Sequence, residues 1–83
     1  MPKYLFQIAG GHHVLDVDEK ELPNPAAARI AGIKLAGEIL NGVPTLLYET
    51  AFLKIDVTDE RGKVLFKVLV TTLSDDEHIP ITG

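Results

Sequence analysis

The chain has 83 residues, 46% of them hydrophobic and 24% charged, a composition that suits one globular domain and excludes a disordered or low-complexity chain. It has no cysteine, so it has no disulfide framework, no thiolate nucleophile and no cysteine-ligated zinc. A formal charge of −4 disfavours nucleic acid as a partner; no apolar run approaches the roughly 18 residues of a membrane span, and the first residues do not read as a signal peptide, so a cytoplasmic protein is expected.

Residues 3–9 alternate. Tyr4, Phe6 and Ile8 fall on one side and Lys3, Leu5, Gln7 and Ala9 on the other, the period-2 pattern of a half-buried strand. Gly10 and Gly11 supply the positive φ that a tight hairpin turn needs. A second strand is expected over residues 12–17, with His13, Leu15 and Val17 on one face and His12, Val14 and Asp16 on the other. Asp18, Glu19, Lys20 and Glu21 then read as an acidic turn.

The helix carries the clearest signals. Asn24 suits the N-cap, and Pro25 follows at the first helical position, where a missing N–H costs nothing. Good helix formers continue to Leu40, and Asn41-Gly42 reads as a left-handed stop. At about 100° per residue, Lys34 and Glu38 share a side with Ala27 and Ala31. Ala28, Gly32, Ile33, Ala36, Ile39 and Leu40 gather opposite, on the face expected to be buried. Ala28, Gly32 and Ala36 form a ladder of small residues, and close approach of the backbone to a neighbouring layer explains a glycine that costs roughly 1 kcal/mol in a helix interior.

Residues 41–50 form a long connection containing Gly42 and Pro44. Leu46, Leu47 and Tyr48 within it are too apolar for a solvated loop and are expected to pack on the core edge or a partner chain. Residues 51–58 alternate again, with Leu53, Ile55 and Val57 opposed to Phe52, Lys54, Asp56 and Thr58. Asp59-Glu60-Arg61-Gly62 is a hairpin signal with glycine at the left-handed position. Residues 63–71 complete the pair, placing Val64, Phe66, Val68 and Val70 on one face and Leu65, Lys67 and Leu69 on the other. One domain over residues 1–72 is expected, with residues 73–83 as a flexible acidic tail.

The fold class is therefore α+β: a two-layer β-β-α-β-β unit, one four-stranded antiparallel sheet with a helix on a single face. Its expected core is Tyr4, Phe6, Ile8, Leu15, Val17, Ala28, Ile33, Ala36, Leu40, Leu53, Ile55, Val57, Val64, Phe66 and Val68. The far face of such a sheet is bare, and Leu5, Leu65 and Leu69 placed there make an apolar patch of the kind that marks an interface. So short a chain buries only about 60% of its unfolded surface, and association is the remaining route to more. A homodimer, face to face or edge to edge, is expected through Leu5, Leu65 and Leu69, with Leu46, Leu47 and Tyr48 as further candidates.

Chemistry finds little footing. His12 and His13 lie near Asp16 and Asp18, but adjacent strand residues point to opposite faces and the spacing of a structural zinc site is missing; exposed histidines are the simpler reading, and no metal or cofactor is expected. The carboxylates cluster in expected turns at residues 16–21, 56–60 and 75–77, where water screens them. Ser74 is the one serine, placed among acids, and Gly10-Gly11 lacks the helix and lysine of a phosphate loop. No catalytic residue emerges. Arg29, Lys34, Lys54, Arg61, Lys63 and Lys67 make a basic strip only if the fold collects them, and edge lysines also discourage aggregation.

Three ordered segments resemble the small bacterial family called domain of unknown function 6894: Met1-Pro2-Lys3-Tyr4-Leu5-Phe6, then Glu21-Leu22-Pro23-Asn24 with Ala27-Ala28-Arg29, and Val57 through Leu65 as the closing hairpin. The chain departs from the family pattern near Glu19, where a glycine is usual. The resemblance implies a bacterial origin, in rhizobia and related alphaproteobacteria, and carries no activity over to these residues. The expected role is a non-enzymatic, dimerising protein-interaction module, with an unidentified protein as a second candidate partner. An antitoxin-like or regulatory protein is the alternative, although one helix leaves no helix-turn-helix pair. A small metal-dependent or hydrolytic enzyme is the third reading.

Overall fold

The computed structural model describes residues 1–72; the expected tail, with Ser74 and the carboxylates of residues 75–77, lies outside them. Strands β1 (Lys3–Gly10) and β2 (His13–Glu21) precede helix α1 (Pro25–Gly42), a single-turn helix α2 (Leu46–Glu49), and strands β3 (Leu53–Thr58) and β4 (Val64–Val70). All the pairings are antiparallel, in the order β2-β1-β3-β4. Helix α1 lies on one face of the sheet, against β3 and β4, as expected for the two-layer α+β unit.

The core forms where three alternations meet. Tyr4, Phe6 and Ile8 of β1 and Leu53, Ile55 and Val57 of β3 are buried side by side, because Phe6 pairs with Val57 and Ile8 with Ile55, and paired residues share a face. Ala28 and Ala36 close over them, with Leu35, Ile39 and Leu40 half-buried at the margin. Gly32 is the point of closest approach: a Cβ built there meets Val57 Cγ2 at 3.3 Å and Val68 Cγ2 at 3.7 Å. The small-residue ladder thus lets the helix backbone settle onto the sheet. Gly37, one turn further on, has nothing within 4 Å of the same position.

Local chemistry sets the helix ends. The Asn24 carboxamide oxygen accepts from the Ala27 N–H at 2.8 Å, and Pro25 takes the first position. The expected glycine stop is corrected: among the described residues only Gly11 and Gly62 have positive φ. The helix runs through Gly42 and ends at Val43, whose N–H still donates to the Ile39 carbonyl. Pro44 supplies the reason, since its ring pushes the preceding residue out of the helical region. Gly11 (φ 61) turns the first hairpin, in the two-residue type that takes glycine first.

Several further expectations are corrected. Residues 18–21 form no acidic turn; they extend β2, which pairs with β1 as far as Lys3 opposite Glu21. The connection after α1 folds part of its length into α2, which buries Leu46. Leu15, Val17, Ile33 and Val64, expected in the core, are exposed. Two bulges account for Leu15, Val17 and Val64. Ile8 pairs with Asp16 but Ala9 with Val14, which leaves Leu15 as an extra residue; Val57 pairs with Phe66 but Thr58 with Val64, which leaves Leu65 extra. Each bulge shifts the alternation by one residue and exchanges the faces beyond it. Ile33 has a simpler cause. The buried stripe of α1 is centred on Gly32, and Ile33 lies on the outward side of it.

Candidate interaction surface

The face of the sheet opposite α1 is uncovered by the chain's described residues, and the registers give its layout. One row runs across the strands as Val14, Ala9, Lys54 and Leu69; the next row is Val17, Gln7, Asp56 and Lys67; the third is Glu19, Leu5, Thr58 and Val64.

 Pairing partners share a face, so all of these side chains stand on the open side with Gln7. Five large apolar groups are exposed among them: Leu5 (37%), Val14 (59%) and Leu69 (61%), together with Val17 and Val64. They ring a polar centre made of Gln7, Lys54, Asp56 and Lys67.

The charges are unevenly divided. Glu19 and Glu21 lie at the β2 end, opposite Leu5 and Lys3, while Lys54 and Lys67 lie on β3 and β4. Asp56 sits between Gln7 and Lys67, its Oδ1 buried without a hydrogen-bond partner and 3.8 Å from the Lys67 Nζ. The helix side of β2 is the reverse case. There Asp16, Asp18 and Lys20 pair with Ile8, Phe6 and Tyr4, and Lys20 approaches Asp18 at 3.9 Å. Helix α1 lies over β3 and β4, so these polar groups overhang into water while the valines of β2 face the open side.

The expected interface residues are only partly brought together. Leu5 and Leu69 stand on the open face. Leu65, as a bulge residue, is half-buried and packs against the core, and Leu46 and Leu47 also join the core. Tyr48 is 91% exposed on α2. The open face gains Val14, Val17 and Val64, which alternation alone assigned elsewhere or left unmarked.

Both edges of the sheet are interrupted. The bulges at Leu15 and Leu65 lie in β2 and β4, the two outer strands, and β2 carries a charge at most positions from Asp16 onward. Bulges and charges on an outer strand oppose strand-to-strand addition. The face is therefore better suited to association than the edges.

Among the described residues no reacting constellation accompanies this surface. Among the described residues, no three His, Cys, Asp or Glu side chains come together as a metal site. His12 and His13 are exposed, and His12 meets the Phe52 ring edge to face, 6.2 Å between centroids. A recess of about 130 Å³ beside the end of β1 is lined by Lys3, Tyr4, Leu5, Glu19, Asp59 and Glu60, whereas small-molecule sites usually enclose about 300–1,000 Å³. No helix among the described residues is long and apolar enough to cross a membrane.

Among the described residues the carboxylate with a clear shift is Asp59, in the β3–β4 turn. Its Oδ1 accepts from the Lys63 N–H at 3.0 Å and from the Arg61 N–H at 2.9 Å. The hydrogen bond from Lys63 contributes most to holding this carboxyl below its ordinary value; desolvation opposes it, and the hydrogen bond from Arg61 with the Arg61 and Lys63 charges adds to the lowering. Gly62 (φ 84) completes the turn, donating its N–H to the Asp59 carbonyl. This carboxylate shapes a hairpin and has no partner that fits it for proton transfer.

The model of the family described as Domain of unknown function (DUF6894) matches residues 3–71, and the chain belongs to that family. Comparison with curated proteins and with solved structures gave no match.

Proposed function

We propose that this protein is a non-enzymatic interaction module that works as a homodimer, with the open sheet faces of two copies laid together. The observation that carries the reading is the ring of exposed Leu5, Val14, Val17, Val64 and Leu69 on a face that the described residues leave uncovered. Exposed apolar groups gathered on one face often mark a docking surface.

Charge argues for a second copy as the occupant. A two-fold axis parallel to the strands lays β2 of one copy over β4 of the other. Glu19 then lies over Val64 of the opposite sheet, one row from its Lys67, and Val14 meets Leu69 in the same row. Opposed charge fixes orientation and register more than affinity. The small recess and the solvated histidines support a role without catalysis. A bacterial origin, which the family resemblance implies, and a cytoplasmic setting belong to the same reading.

Sedimentation equilibrium across micromolar concentrations tests it. The chain is expected to associate, and Leu69→Asp, with its fold intact by circular dichroism, is expected to lower the mass at each concentration. An association constant unchanged by Leu69→Asp overturns the reading, as does capture of the face by a different protein in preference to a second copy.

A further inference from the structure

We draw no further inference here: the strongest candidate, the outward face of α1 on which Ile30 and Ile33 stand exposed beside the open space at Gly37, is an unpartnered apolar patch, and nothing in the structure shows what covers it.

Discussion

Gly32 and Asp59 show how single residues set the distances and angles on which the layers depend. With a Cβ at 3.3 Å from Val57 Cγ2, Gly32 has no room for a branched or long side chain, and its neighbour is a β-branched residue with few rotamers to give. Gly32→Leu is expected to destabilise the fold by about 1–3 kcal/mol through overpacking, read as a lowered denaturant midpoint. A smaller loss on Gly32→Ala is expected, because the helix propensity gained, about 1 kcal/mol, offsets part of the crowding. At Asp59 the sign of the pH dependence follows from the direction of its shift. The folded chain holds this carboxyl below its ordinary value of 3.8, so the folded state favours the ionised form. The contribution is complete above that value and is lost as pH falls through the lower folded one. Asp59→Asn is thus expected to reduce stability at neutral pH, and its difference from the natural chain to vanish in strong acid. Denaturant titrations at the two extremes check both statements; a difference that persists unchanged in strong acid removes the role assigned to the ionised carboxylate.

At the scale of elements, the helix start is the most local feature of the molecule. The Asn24 side chain satisfies the Ala27 N–H, and Asn24→Ala is expected to cost about 1 kcal/mol while Asn24→Gly costs a few tenths, measured by the same denaturant titration. Such a cap is legible in sequence because its partners lie within one turn. The β1 and β3 faces were equally legible, since strict alternation survives there and both strands are central in the sheet. The outer strands were not. Val14-Leu15 and Val64-Leu65-Phe66 place apolar residues side by side, and that break in alternation is compatible with either face until pairing with a neighbour decides it. The bulges at Leu15 and Leu65 make the decision, and they are properties of the paired strands. They also explain why the candidate surface was only half-readable: Leu5 and Leu69 kept their expected face, Leu65 left it, and Val14, Val17 and Val64 joined it. Ile33 was misplaced for a related reason, because the buried stripe of α1 is narrow and the sheet contacts only its small-residue ladder.

For the whole molecule, the deciding group is Asp56, near the middle of the open face. Its Oδ1 is buried without a hydrogen bond among the described residues, and the Lys67 ammonium is 3.8 Å away and still half in water. Covering the face with a second copy removes that water, which strengthens the attraction and raises the cost of desolvating both ions. The pair is then a device for register, and the apolar ring supplies the affinity. Replacing both partners by leucine is expected to leave association unchanged or tighter, as buried ion pairs often behave when exchanged for apolar groups. Lys67→Leu alone is expected to weaken association, because it leaves the Asp56 carboxylate in the interface with no counter-charge, and an uncompensated group of this kind costs more than the pair contributes. Dissociation constants of the three chains make the comparison. If Lys67→Leu associates as tightly as the double replacement, Asp56 still reaches water in the dimer, and the open face is not where the copies meet.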